Sequence, residues 1–241
     1  DAANKDKQSC LALLKDTDGI VIRSKYRMDE NFLKHAPGLK FIARSGAGLE
    51  NIDTLYCNQQ GIEVFNSPEG NRNAVGEHAL GMLLALFNNL PRADREVRAG
   101  KWNREKNRGT ELKGKTVAII GYGNNGTAFA NKLKGLDVSV IAYDKYRSGF
   151  GDAFVRETDL NFIQTNADVV SLHIPENEET HYFVDDAFLS SFKKPIYLIN
   201  LSRGRIVNTS ALIKAIKSKK VIGACLDVLE YEKTNFESII E

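Results

Sequence analysis

Apolar and β-branched residues recur along this chain in short runs, separated by stretches with helical spacing. GIVIRS (19–24), LKFIARSG (39–46) and IEVFN (62–66) predict strands. MDENFLKHAPG, between the first two, predicts a helix with a glycine stop. A compact α/β unit is expected to end near Pro68. The next stretch, NAVGEHALGMLLALFNNLPRADREV, has apolar positions dense enough for a long, largely buried helix, broken at Pro91. A polar arm follows, RAGKWNREKNRGTELKGK.

From there the alternation is regular. TVAIIGYG (116–123), DVSVIAYD (137–144), DVVSLHIP (168–175), IYLINLS and VIGACLDV (221–228) predict strands. NGTAFANKLKGL, LNFIQTNA, DDAFLSSFK and TSALIKAIKSKK predict the helices between them. Strands separated by helices imply right-handed βαβ crossovers and a parallel sheet. The expected fold class is α/β in two domains, 1–72 and 73–241, the second a doubly wound sheet of Rossmann type.

The first strand of the second domain runs into GYGNNG, so that Gly121, Gly123 and Gly126 fit G-x-G-x-x-G. The first glycine permits a tight turn, the second lets backbone approach a pyrophosphate, and the third lets helix pack on strand. The helix start then turns partial positive charge toward the phosphates, with Asn124 and Asn125 in its first turn. A glycine-rich turn alone is a weak signal. Here a strand precedes it, a helix follows, and Asp144 closes the next strand, 18 residues past Gly126. An acid there accepts hydrogen bonds from the adenosine ribose and repels a 2′-phosphate. NAD is therefore the expected cofactor. Lys145 and Arg147 keep NADP open.

IYLINLSRGRIVN delivers Arg203 at the carboxyl end of a later strand of the same sheet, where ligands of open α/β sheets bind. A guanidinium there can grip a carboxylate with two bonds and polarise an adjacent carbonyl. A structural arginine paired with a helix end is the alternative. DVLEYEK places Asp227, Glu230 and Glu232 after the next strand. A carboxylate beside the crevice can hold an imidazole in its protonated form, though single acids of this kind are often solvated loop residues.

Composition narrows the classes. With 33 basic and 31 acidic residues among 241, the net charge of +2 gives no drive toward nucleic acid or membrane. The apolar run at Ala79 to Phe87 is too short to span a bilayer. Three dispersed cysteines, Cys10, Cys57 and Cys225, suggest neither disulfides nor a metal site, and are expected to be buried in a cytoplasmic protein.

The quoted motifs together with RSGAGLENID (44–53), VFNSPEGN (64–71), VGEHALGMLLAL (75–86) and GKW (100–102) resemble the D-isomer-specific 2-hydroxyacid dehydrogenases, especially their phosphoglycerate dehydrogenase-like branch. The resemblance runs almost end to end. It implies a smaller flavodoxin-like substrate domain, incomplete at both termini, beside the NAD-binding one, with the active site in the cleft between them. The implied reaction moves a hydride between nicotinamide and C2 of a D-2-hydroxy acid, with a homodimer as the assembly. By resemblance Arg203 orients the substrate and Glu232 partners the catalytic histidine. The amides of Gly46, Ala47 and Gly48 hold the substrate carboxylate, and Arg23 and Ser24 reach the cleft. Asn71, Val75 and Asp227 lie near the nicotinamide; His173 and Pro175 line the adenine side.

The family's acid–base histidine lies downstream of that glutamate, beyond Glu241. Of the four histidines, His35 is expected at the surface, His78 packed within the long helix, His173 in the adenine-side strand and His181 in a polar segment. Asn125 stands where the family usually has an apolar residue. 3-Phosphoglycerate is placed first as substrate, because Arg23, Lys25 and Arg27 suit a phosphate. Glyoxylate, hydroxypyruvate or formate chemistry and a non-catalytic NAD-sensing module are the alternatives.

Overall fold

The structure, a computed structural model, describes residues 4–232. It divides into two compact units, Asp1–Arg72 and Asn73–Glu241.

The first unit runs α1 (Lys7–Leu13), β1 (Gly19–Ile22), α2 (Glu30–Leu33), β2 (Phe41–Arg44), α3 (Thr54–Gln59) and β3 (Glu63–Asn66). The strands form a parallel sheet in the order β1-β2-β3. Side chains alternate across it. Ile20, Ile22, Ile42 and Val64 pack on one face with Phe32, Leu33 and Cys57, whereas Val21, Phe41 and Phe65 on the other are exposed. Each helix starts on an aspartate: Asp6, Asp29 and Asp53 accept the backbone N–H three residues on. The helix expected over MDENFLKHAPG is only the four residues of α2, and α1 and α3 were not anticipated. Caps, rather than apolar periodicity, define such short helices.

The second unit contains α4 (Arg72–Phe87, beginning one residue earlier), α5 (Leu90–Arg98), β4 (Thr116–Ile120), α6 (Asn124–Lys132), β5 (Ser139–Tyr143) and β6 (Val155–Glu157). It continues with α7 (Leu160–Asn166), β7 (Val169–Leu172), α8 (Asp186–Ser191), β8 (Ile196–Asn200), α9 (Thr209–Lys217) and β9 (Val221–Leu226). All six strands are parallel, in the order β6-β5-β4-β7-β8-β9. The chain thus winds outward from β4 in one direction and restarts at β7 in the other, creating a crevice at the carboxyl ends of β4 and β7. Two apolar cores cover the two faces of this sheet. Val117, Ala118, Ile119 and Ile120 of β4 are fully buried, as a central parallel strand requires.

The expected break in the long helix is present but lies before Pro91, between α4 and α5. Asn89, at φ 54°, turns the chain, and Pro91 sits in the first turn of α5, where a missing N–H costs nothing. Nor is α4 largely buried: only Gly76, Ala79, Leu83 and Phe87 are, while Leu80, Met82, Leu84 and Leu86 are half-covered. The edge strand β6 was not anticipated; its three residues, Val-Arg-Glu, carry no alternating signal.

Candidate dinucleotide and substrate site

The turn after β4 shows why glycine stands at each fingerprint position. Gly121 has φ 92°, and a Cβ on it would stand 2.6 Å from the carbonyl oxygen of His173 after β7. A Cβ on Gly126 would overlap the Gly121 carbonyl. Gly123 caps α6 with open space where a Cβ would stand, and no side chain among the described residues caps that helix start. Backbone N–H groups are therefore open to an anion where the dipole favours one. Asn124 is exposed. Asn125 has a buried Oδ1 with no hydrogen-bond partner among the described residues. A buried acceptor without a donor is costly, and a dinucleotide offers hydroxyl and amide donors. These residues fit an NAD moiety.

Asp144 lies at the end of β5. Its Oδ2 accepts the Tyr122 N–H at 2.8 Å, and its Oδ1 accepts the N–H groups of Tyr146 at 2.9 Å and Arg147 at 3.1 Å. The acid thereby fixes the fingerprint turn to its own loop. The Arg147 guanidinium donates to the Tyr122 carbonyl, and the Tyr122 ring stacks on Phe150. His173 meets Ser171 Oγ through Nε2 at 2.8 Å and tilts against Phe129. Burial lowers its pKa to about 4, so the ring is neutral near pH 7. Pro175 is exposed, and its carbonyl accepts from Thr180 Oγ1.

Arg203 follows β8 in a loop braced from several sides. Buried Asn200 donates through Nδ2 to the Arg203 carbonyl at 2.9 Å and accepts the Ser202 N–H at 3.0 Å. Ser202 Oγ donates to the Leu172 carbonyl of β7. Arg203 Nη1 donates to the Ser202 carbonyl at 2.7 Å. Gly204 packs against the backbone of Leu229 and Glu230 beyond β9, which joins this loop to the DVLEYE turn.

In that turn the roles differ. Glu230 is buried and accepts from Tyr182 OH at 2.5 Å and from the Thr209 N–H of α9 at 2.7 Å. Burial pushes its carboxyl up, but these bonds outweigh it and the net shift is downward. Glu232 is exposed and accepts the Leu229 N–H through Oε2 at 3.3 Å. Asp227 Oδ1 lies 3.2 Å from His78 Nε2. His78 is thus exposed and paired with the residue just after β9, not packed in its helix as expected. The cause is helical phase: α4 presents its buried stripe at Gly76, Ala79 and Leu83, and residue 78 lies off it. His35 is exposed, and His181 stacks on Tyr182 with centroids 4.0 Å apart. Val75 is half-buried in the first turn of α4, and Asn71 is exposed just before it.

In the first unit, the carbonyls of three successive residues are restrained. Gly46 O accepts the Ser67 N–H at 3.0 Å, Ala47 O accepts Asn66 Nδ2 at 2.6 Å, and Gly48 O accepts Arg44 Nη1. A trans peptide places its N–H opposite its carbonyl. The N–H groups of Ala47, Gly48 and Leu49 therefore turn away from these anchors, and none donates to a partner among the described residues. Arg44 also reaches Glu50 Oε2 at 3.1 Å. Arg23 and Ser24 are exposed on a segment tied down by Asn51 Nδ2, which donates to the carbonyls of Arg23 and Tyr26. Asn66, Ser67, Tyr182 and Thr209 were missed from sequence because each bonds a group 19 or more residues away in the chain, and Arg44 because its bond to Gly48 depends on the fold of the intervening loop.

A parallel sheet of this order, with a glycine turn at its switch point and an acid closing the neighbouring strand, defines a Rossmann-type dinucleotide-binding domain. The comparisons narrow this. Residues 80–240 match the D-isomer specific 2-hydroxyacid dehydrogenase, NAD binding domain family. The chain belongs to that family and carries its NAD-binding domain. It is similar to a D-3-phosphoglycerate dehydrogenase of Archaeoglobus fulgidus, 38% identical over 89% of this chain and 41% of the relative. It is also similar to a glyoxylate reductase of Thermofilum pendens, 33% identical over 97% of this chain and 73% of that protein. D-lactate dehydrogenase from Aquifex aeolicus, solved with NAD and lactic acid, superposes with a TM-score of 0.83 at 28% identity, over 95% of this chain and 73% of that one. The chain spans about two-fifths of the length of the D-3-phosphoglycerate dehydrogenases it matches.

Proposed function

We propose that the protein is an NAD-dependent D-2-hydroxyacid dehydrogenase acting on a 3-phosphoglycerate-like substrate. The observation that carries this reading is the triple restraint on residues 46–48, which leaves three successive amides available to a carboxylate. When bound, the nicotinamide supplies or accepts the hydride exchanged with C2. Gly121, Gly123 and Gly126 make room for the pyrophosphate, with Asn124 and Asn125 beside it. Asp144 takes the adenosine ribose, His173 and Pro175 the adenine side, and Asn71, Val75 and Asp227 the nicotinamide end.

The N–H groups of Ala47, Gly48 and Leu49 bind the substrate carboxylate, whereas that of Gly46, assigned the same role by resemblance, already donates to the Arg44 carbonyl at 2.9 Å. Arg203 holds the same class of group and polarises the carbonyl, stabilising charge that develops on its oxygen. Arg23 and Ser24 take the distal phosphate, with Arg27 exposed close by in sequence. Glu232 holds an imidazole protonated and oriented, so that it can protonate the alkoxide formed on reduction.

The half-covered Leu80, Met82, Leu84 and Leu86 of α4 and the exposed Leu90, Val97 and Trp102 favour a homodimer. Three buried free thiols, with Cys225 pushed up to about 11 by burial, favour a reducing cytoplasm. Among the described residues no helix is long and apolar enough to cross a membrane.

The test is loss of NADH absorbance when the full-length protein meets 3-phosphohydroxypyruvate, hydroxypyruvate, glyoxylate or pyruvate. Fastest turnover of the phosphorylated acid supports the reading. Preference for glyoxylate or hydroxypyruvate moves the protein to the reductases. Binding of NADH without turnover of any acid favours the NAD-sensing alternative.

A further inference from the structure

Two basic residues follow the ribose acid, and sequence alone leaves open whether they receive a 2′-phosphate. Neither is unengaged. Arg147 donates to the Tyr122 carbonyl. Lys145 Nζ lies 2.6 Å from Glu179 Oε2, and the neighbouring Tyr146 OH donates to the same oxygen at 2.5 Å.

The sheet order gives this cluster its meaning. β5 and β7 flank β4, so the loops after them stand on either side of the fingerprint turn. Lys145 and Tyr146 belong to the loop after β5, and Glu179 to the loop after β7. Their contact spans the carboxyl end of β4, beside Asp144. The loop that carries Glu179 is itself fixed: Asn177 Oδ1 accepts the N–H groups of Glu179 and Thr180, each at 3.0 Å, and Thr180 Oγ1 donates to the Pro175 carbonyl. Glu179 is thus held in place before any cofactor arrives. The Lys145 hydrogen bond keeps its carboxyl below the usual range, so it is charged near neutral pH.

We propose that Glu179 is a cofactor-specificity residue: by occupying Lys145 and Tyr146, and by adding a second negative charge beside Asp144, it excludes dinucleotides bearing a 2′-phosphate. This inference rests on NAD binding at the fingerprint. A 2′-phosphate carries nearly two charges and needs cationic or hydroxyl donors. Here Lys145 and Tyr146, which follow Asp144 in the chain, already serve a carboxylate that would repel it. Adenosine with a free 2′-hydroxyl demands neither donor.

The test is titration of the full-length protein with NADH and with NADPH, followed by nicotinamide fluorescence, for wild type, Glu179→Gln, Lys145→Met and the double variant. Glu179→Gln keeps the size of the side chain and removes its charge. It is expected to tighten NADPH about tenfold while NADH changes less than about twofold, the scale of one charge interaction near a surface. The double variant should lose that gain, because the released lysine supplies it. An unchanged NADPH-to-NADH ratio in Glu179→Gln, or a gain that survives removal of Lys145, overturns the inference and leaves NAD binding standing. If wild type binds neither nucleotide, the NAD reading and the inference fall together.

Discussion

Gly204 and Leu229 lie so close that no side chain fits between them: a Cβ at 204 would overlap the Leu229 carbonyl and stand 2.7 Å from the Glu230 nitrogen. This contact joins the loop that carries Arg203 to the turn that carries Glu232. Gly204→Ala should destabilise the protein by about 3 kcal/mol, lowering Tm by roughly 10 °C. Calorimetry against Gly38→Ala, where a Cβ meets nothing, gives the comparison.

Arg203→Ala should reduce kcat/KM for a 2-oxo acid by roughly a thousandfold, the scale of one lost transition-state donor. NADH affinity should stay within about twofold, since the fingerprint lies on other strands. Equal turnover by the variant would remove Arg203 from the substrate site.

Asn66→Asp keeps the shape of the side chain but removes the donor to Ala47 O. The 47–48 peptide is then released and its N–H no longer fixed. KM for the oxo acid should rise about tenfold, the cost of about one hydrogen bond to a charged group, with kcat less affected. Steady-state kinetics with NADH saturating reads the split.

Acid should destabilise the second unit through His173. Its folded pKa of about 4 lies below the 6.5 of an ordinary imidazole. Between those values the unfolded chain binds the proton and the folded one does not, so stability falls as pH drops from about 6.5 toward 4. His173→Gln should flatten that part of a Tm-against-pH curve. An equal slope in both proteins would show that other groups govern it.

Tyr182→Phe removes one of the donors to buried Glu230. The bond from the Thr209 N–H remains, but the carboxylate is less fully satisfied, and stability should fall by about 2 kcal/mol. Denaturant unfolding measures it, and Thr209→Ser, which keeps the backbone donor, should leave Glu230 bonded.

Much of the candidate site was legible because its signals are local. Gly121, Gly123, Gly126 and Asp144 are read from one strand, one turn and the next strand. Arg203 is read from a buried strand that ends in a cation. The misreadings share a cause. Pro91 looked like a helix breaker, but whether a proline breaks a helix or starts one depends on where the preceding turn lies, and Asn89 decides that. His78 looked packed because its neighbours are apolar, but one residue of helical phase sets it outside the buried stripe.

By itself, the sequence determined the alternation of strands and helices, the parallel sheet and the fingerprint, because hydrophobic period and glycine turns act over a few residues. Only the tertiary structure decided what the polar side chains do. Asn66 and Arg44 turn the 46–48 peptides from across a loop, Glu230 is consumed by Tyr182 and α9, and Glu179 captures Lys145 from beyond another strand. Hydrogen bonds of this kind depend on distance in space, and strands far apart in the chain are neighbours only once the sheet has formed.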